Sequence, residues 1–224
     1  MSDITYSTVE IAGIDAFEFL QAQLTVDLNR LRREPETESL RSAWCNPKGR
    51  VICMPTISRA DADFEMSLPA DLADLVVQRM TMFRFRSKVE FVLQPGRIRA
   101  DGSALDTLRA GIPEVALAQS EKFTPHMLNL DLLQIVSLDK GCYPGQEIVA
   151  RTHYRGASKR RCLHFQSSEP VAPGDKISDG EREIGEVVNA IGTDLLAVVP
   201  VASAKAALSV GDALLTNVDL PYSI

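Results

Sequence analysis

One eight-residue run combines residue types and spacing suited to reactive chemistry: Lys140-Gly141-Cys142-Tyr143-Pro144-Gly145-Gln146-Glu147. Its two glycines and its proline demand a tight loop. Residues 146–153 then resume a helical texture. Cys142 therefore stands just before a helix N-terminus, with Lys140 two residues away. The positive dipole end and the nearby cation both favour ionised sulfur. The competing reading is a small buried cysteine, chosen for size and chemically inert. A nucleophilic Cys–His pair needs a base within hydrogen-bond reach, and the chain has three histidines, His126, His153 and His164. His153 lies on the same expected helix, too far along its axis to reach Cys142 locally, while a spatial pairing stays open. The cysteines Cys45, Cys53, Cys142 and Cys162 form no Cys-x-x-Cys pair, and no His-x-x-x-His occurs. Zinc and cluster sites gather ligands in such close pairs, so no complete metal site is expected. A single cysteine completing a site shared with a partner stays open.

The charge distribution offers a second signal. The chain is acidic, with net charge −6, yet residues 140–161 carry Lys140, Arg151, Arg155, Lys159, Arg160 and Arg161 against Glu147 alone. Such a tract suggests a local anionic partner, RNA included; the bland alternative is a solvated helix face and loop. Phe83-Arg84-Phe85-Arg86-Ser87-Lys88, read as a strand, places its cations on one face and its rings on the other. Lys48-Gly49-Arg50 offers a turn flanked by cations, for which an exposed hairpin is the default. No Gly-x-Gly-x-x-Gly follows a strand and no Walker loop occurs, so the common nucleotide fingerprints are missing.

The elements that must position these residues divide into two textures. Residues 6–11 read as a strand, and Asp15 as the N-cap of a helix carrying Phe17, Phe19, Leu20 and Leu24. Asn46-Pro47-Lys48-Gly49 is a turn, residues 50–58 and 63–68 read as strands, and Pro69 opens a helix to about residue 82. Leu72, Leu75, Val76 and Met80 share one face of that helix. Residues 89–93 read as a strand. This order predicts an α+β layer with helices against a mostly antiparallel sheet. Residues 94–123 read as a reduced connection with a short helical pattern at 105–108, and residues 126–136 have helical periodicity. From residue 162 the chain turns to short apolar strands cut by Gly and Pro, at 162–166, 176–177, 184–191, 195–201 and 213–216, which predicts a small barrel or sandwich. The break is expected at Gly156-Ala157-Ser158, giving domains 1–157 and 158–224. A chain of 224 residues, 45% hydrophobic and 24% charged, can bury a core without staples, which disfavours disorder and a disulfide scaffold. No apolar run reaches the length of a membrane span, and Met1-Ser2-Asp3-Ile4-Thr5 lacks secretory features, so a cytoplasmic protein with reduced thiols and no membrane partner is expected.

The cysteine run, continued by Ile148-Val149-Ala150-Arg151 and by Tyr154-Arg155-Gly156 with Lys159-Arg160, resembles the signature of the YgfZ family. These are folate-binding proteins related to the aminomethyltransferase (T-protein) of the glycine cleavage system. Gly13-Ile14-Asp15-Ala16 with Phe19-Leu20-Gln21, Gln23-Leu24-Thr25 and Asp27 resembles the family's N-terminal helix. Cys45-Asn46-Pro47-Lys48-Gly49-Arg50 resembles its first hairpin, and Phe123-Thr124-Pro125 with Leu128-Asn129-Leu130 the approach to the cysteine motif. The resemblance runs from about residue 11 to residue 161, and the β-rich tail fits the family's terminal barrel.

The resemblance implies an aminomethyltransferase-like, folate-binding fold of α/β subdomains with a small C-terminal β-barrel around a tetrahydrofolate cavity. It implies a role in assembling or repairing iron–sulfur proteins, tRNA-thiolating enzymes among them, with Cys142 as the residue on which function depends. The implied partners are tetrahydrofolate or a derivative, iron–sulfur proteins and assembly factors, with direct tRNA binding left open. Two departures matter: the middle subdomain at about 94–123 is trimmed, and the T-protein's pair of aspartates past its Lys-Gly is replaced by Cys53-Met54. The second argues against one-carbon transfer and leaves a folate-dependent accessory factor. A folate offers a flat pterin with an amide-like edge and an anionic tail. Asn129, Asp131, Gln146 and Glu147 suit the edge, and Arg151, Lys159 or Lys48 the tail. With the rest of the motif, the expected folate-binding set is Asn129, Asp131, Lys140, Gly141, Tyr143, Gln146, Glu147 and Arg151. The alternatives are a one-carbon (aminomethyl) transferase and an RNA-binding module using residues 140–161.

Overall fold

The computed structural model describes residues 5–34, 36–60, 63–98, 104–156 and 158–224. The extreme N-terminus and Ala157 of the expected domain break lie outside the described residues, as do residues 99–103 of the trimmed region. In chain order, β1 (Thr5–Ala12) leads into α1 (Ala16–Gln23) and the single turn α2 (Arg30–Arg33). β2 (Ser39–Arg41), β3 (Trp44–Cys45), β4 (Val51–Cys53), β5 (Thr56–Ala60) and β6 (Asp63–Pro69) follow, then α3 (Ala70–Phe83) and β7 (Glu90–Ile98). α4 (Ala104–Arg109) and α5 (Gln146–Arg155) precede β8 (Arg160–Ser167), β9 (Lys176–Ser178), β10 (Glu183–Ile191), β11 (Asp194–Pro200), β12 (Leu208–Val210) and β13 (Ala213–Val218). No helix among the described residues is long and apolar enough to cross a membrane.

An antiparallel sheet in the order β2-β5-β6-β1-β7 forms the first layer. Period-2 alternation turns Val9 and Ile11 of β1 and Met66 and Leu68 of β6 into the core. There they meet Phe17 and Leu20 of α1 and Leu72, Val76 and Met80 of α3. Each fully buried Leu or Met contributes about 1.5–3 kcal/mol by leaving water. Helical spacing on α1 and α3 is thus what the sequence predicts. Asp15 is not the side-chain cap expected; its carboxylate accepts instead from the Lys88 backbone N–H at 2.7 Å, pinning α1 to the chain before β7.

The second layer is a closed antiparallel barrel in the order β10-β11-β8-β13-β12-β9. Leu163, Phe165, Leu195, Ala197 and Val199 fill it. The intervening Cys162, Leu196 and Val198 point the other way, into a cluster shared with Ala43, Cys45, Val51, Phe123, Leu128 and Leu130. β8 and β11 are therefore buried on both faces; β11 reads as a continuous apolar run for that reason, whereas β8 also buries Arg161 and His164 against carboxylates.

Residues 94–98 complete β7, and residues 104–123 lie as a strap along the hairpin and the barrel. Arg109 of α4 pairs with Asp194 at 3.1 Å, and Val51 N donates to Phe123 O at 2.8 Å while Glu121 N donates to Val51 O at 2.7 Å. Three further expectations are corrected. The strand at 50–58 breaks at Met54-Pro55, because proline has no N–H for the ladder. Residues 83–88 are the end of α3 followed by a turn, with Phe85 at φ 45 and 86% exposed, so the alternating faces do not form. Residues 126–136 make successive turns rather than a helix, since Asn129 and Gln134 take φ 59 and 56.

Candidate functional site

The cysteine loop is built from the backbone outward. Thr25 Oγ1 donates to Ile135 O at 2.9 Å and Ser137 N to Thr25 O at 2.9 Å, so the chain reaches the motif already laid along residues 24–26. Lys140 then turns inward. Its Nζ donates to the carbonyls of Gln21, Leu24 and Val26 at 2.6, 2.6 and 2.9 Å. Three protons meet three acceptors, and burial lowers its pKa to about 8. The lysine expected to face Cys142 is thus spent on anchoring the loop, and that part of the sequence reading is corrected.

Two glycines fix the other side. Gly145, the N-cap of α5 at φ 77, packs so closely that a Cβ there would meet Asn46 O at 2.5 Å and Gly49 Cα at 2.7 Å. Gly49, at φ 68, lies in turn under Ile148. Gly145 needs glycine because backbone lies against it, and Gly49 because the Ile148 side chain does; both take the left-handed geometry that side chains resist. Asn46 holds its turn by accepting from Lys48 N and Arg50 N at 2.9 and 3.0 Å. Its amide donates to Glu121 at 2.7 Å, which with Arg79 holds that carboxyl below the usual range. Gln146 Nε2 closes back on Lys140 O at 3.4 Å.

This clamped loop presents Cys142 to solvent, beside exposed Gly141. The other cysteines are buried: desolvation pushes the Cys45 and Cys162 thiols up to about 12 and raises Cys53 as well. Tyr143 turns inward with its ring 5.6 Å from the Lys140 ammonium. Its hydroxyl is buried without a hydrogen-bond partner, and burial raises its pKa.

The remaining expected residues divide. Glu147 and Arg151 are exposed on α5. Asn129 is fully buried on the turns before the motif, where its Nδ2 donates to Cys162 O at 2.6 Å and its Oδ1 has no partner. Asp131 accepts both arms of Arg161, at 2.6 and 2.9 Å. Of the six cations in the basic tract, Lys140 and Arg161 serve internal partners, and Arg160 donates to Val198 O at 3.3 Å. Arg151, Arg155 and Lys159 are the exposed remainder. The histidines go elsewhere than to Cys142: His164 lies 3.2 Å from Asp194 in the barrel, and the rings of His126 and His153 approach each other to 6.1 Å. That last meeting had no sequence signal, because the two residues sit on separate elements.

Residues 159–221 match the family described as CAF17, C-terminal beta-barrel domain. The tRNA-modifying protein YgfZ of Sodalis glossinidius is 43% identical over 93 residues, covering 39% of this chain and 28% of its own. That of Yersinia pestis is 42% identical over 97 residues, again 28% of its length. These matches therefore span under a third of the named relatives. An uncharacterized Haemophilus influenzae protein is 27% identical across 98% of this chain and 96% of its own. In three dimensions the chain resembles the glycine cleavage system aminomethyltransferase T of Bartonella henselae, with TM-score 0.73 at 15% identity, over 96% of this chain and 83% of that one.

Proposed function

We propose, for this YgfZ homologue with a CAF17-type C-terminal barrel and an aminomethyltransferase-like fold, a role as a folate-binding accessory factor that supports tRNA modification by maintaining iron–sulfur enzymes. The observation that carries it is the exposed Cys142 on a loop held by three carbonyls and two close-packed glycines. A lone accessible sulfur on a rigid mount suits the offering of one soft ligand to a cluster that a partner protein carries. Immobilising the loop beforehand removes the entropy cost of ordering it at the encounter.

The fit to a reduced folate rests on groups the protein leaves unpaired. The Tyr143 hydroxyl and Asn129 Oδ1 are buried polar atoms without protein partners, a state that calls for a ligand or water. In this role they meet the donor and acceptor edge of the pteridine, while exposed Arg151 serves the glutamate tail. Asp131 and Lys140 contribute through their internal bonds, by holding the two segments that carry Asn129 and Tyr143. When bound, the folate supplies a one-carbon carrier or a redox-sensitive ring.

Aminomethyl transfer is disfavoured because the positions that carry aspartates in the T-protein hairpin are Cys53, fully buried, and Met54, packed on apolar neighbours. Neither side chain can supply the carboxylate that orients the folate nitrogens for that transfer. A dedicated RNA surface is disfavoured because half of the basic tract faces inward. The test is complementation of cells lacking the protein, with thiolated nucleosides in bulk tRNA measured by mass spectrometry. Wild type restores them and Cys142→Ala does not; equal levels overturn the role of the thiol. Tetrahydrofolate titration, weakened by Tyr143→Phe, tests the ligand separately.

A further inference from the structure

At the opposite end of α5 from the cysteine loop, the helix's last turn brings His153 to His126 and Asp131. One ligand atom from each of the three lies within 4.8 Å of the others. His126 is only 2% exposed, and neither of its ring nitrogens has a hydrogen-bond partner. An imidazole sealed from water with both nitrogens unsatisfied is rare, because each orphaned buried polar atom costs free energy. Its Nε2 lies 3.9 Å from Asp131 Oδ2, too long for a hydrogen bond. Two metal–ligand bonds of about 2.0–2.2 Å span that gap.

We propose that His126, His153 and Asp131 form a binding site for one divalent transition-metal ion of nitrogen preference, such as Zn²⁺, Co²⁺ or Ni²⁺. Two imidazoles and a carboxylate are a standard donor set for such ions, with remaining positions filled by water. Burial of His126 disfavours its charged form, the form that cannot ligate. Arg161 uses one lone pair on each Asp131 oxygen, and a carboxylate retains others for a metal. The guanidinium also cancels the carboxylate's charge, so affinity rests on the imidazoles. That disfavours Mg²⁺ and Ca²⁺, which depend on oxygen ligands. His153 is exposed, with its ring edge-on to Tyr154, so it is free to reorient onto an ion held by the other two.

The experiment uses tag-free full-length chain, treated with chelator and then loaded with Co²⁺ or Zn²⁺. Expected are one bound ion per chain after desalting, a Co²⁺ ligand-field spectrum showing nitrogen coordination, and no comparable retention of Mg²⁺. His153→Ala, at an exposed position that leaves the fold intact, weakens binding by at least about tenfold, since even outer-shell partners are worth that much. Cys142→Ser leaves the stoichiometry unchanged. Absence of binding in wild type, unchanged affinity in His153→Ala, or loss of the ion in Cys142→Ser each overturns the proposal.

Discussion

The two ends of α5 are held by opposite means. At its N-terminal end the fixings are backbone groups: Gly145 against Asn46 and Gly49, and carbonyls of residues 21–26 around Lys140. At its C-terminal end they are side chains, with His153 approaching His126 and Asp131, and Asp131 locked to Arg161 of β8. The first arrangement frees a side chain, Cys142, for solvent. The second absorbs its side chains into a polar cluster against the barrel. Two cations of the basic tract serve internal partners in different ways. Lys140, a compact ammonium with three protons, satisfies three separate carbonyls; Arg161, a planar fork, grips one carboxylate. Neither can replace the other.

Variants at each end break this contrast in graded ways. The largest effect is expected for Arg161→Met, which leaves Asp131 buried without its partner and costs about 3–5 kcal/mol in chemical denaturation. Reaction of Cys142 with an alkylating agent under native conditions stays unchanged in that variant. Lys140→Met strands three carbonyls at once and costs about 3 kcal/mol. Here the loop loosens, so native-state alkylation and proteolysis near Cys142 rise. Gly145→Ala forces a Cβ onto the Asn46 carbonyl at a left-handed φ, with an expected loss of about 1–3 kcal/mol. Its melting temperature falls while metal retention at the other helix end persists. Cys142→Ala, at an exposed position, shifts stability by no more than about 0.5 kcal/mol. A large loss there would show that the sulfur is structural, and the two ends would no longer differ in kind.

Much of the scaffold was legible because it depends on local spacing. The stripe of Leu72, Val76 and Met80 specified α3, and the glycines and proline around Cys142 specified a tight loop ahead of α5. Where local signals misled, tertiary demands were the cause. Met127, Leu130 and Leu133 repeat with helical spacing, yet the same spacing suits consecutive turns that direct Leu128, Leu130 and Ile135 into the central cluster. The alternation at residues 83–88 had no neighbouring strand to pair with, so the turn after α3 prevailed. The polar chemistry of Asn129 and Asp131 says nothing of Cys162 O and Arg161 waiting opposite.

By itself the sequence determined the two textures, the tight loop and the single cysteine poised ahead of a helix, because periodicity and glycine placement act over a few residues. Which charges are free was decided only by the tertiary structure. Lys140 meets Leu24 across 116 residues of chain, and Arg161 meets Asp131 across 30. A charge is spent or available according to what long-range packing sets against it, and no local pattern encodes that.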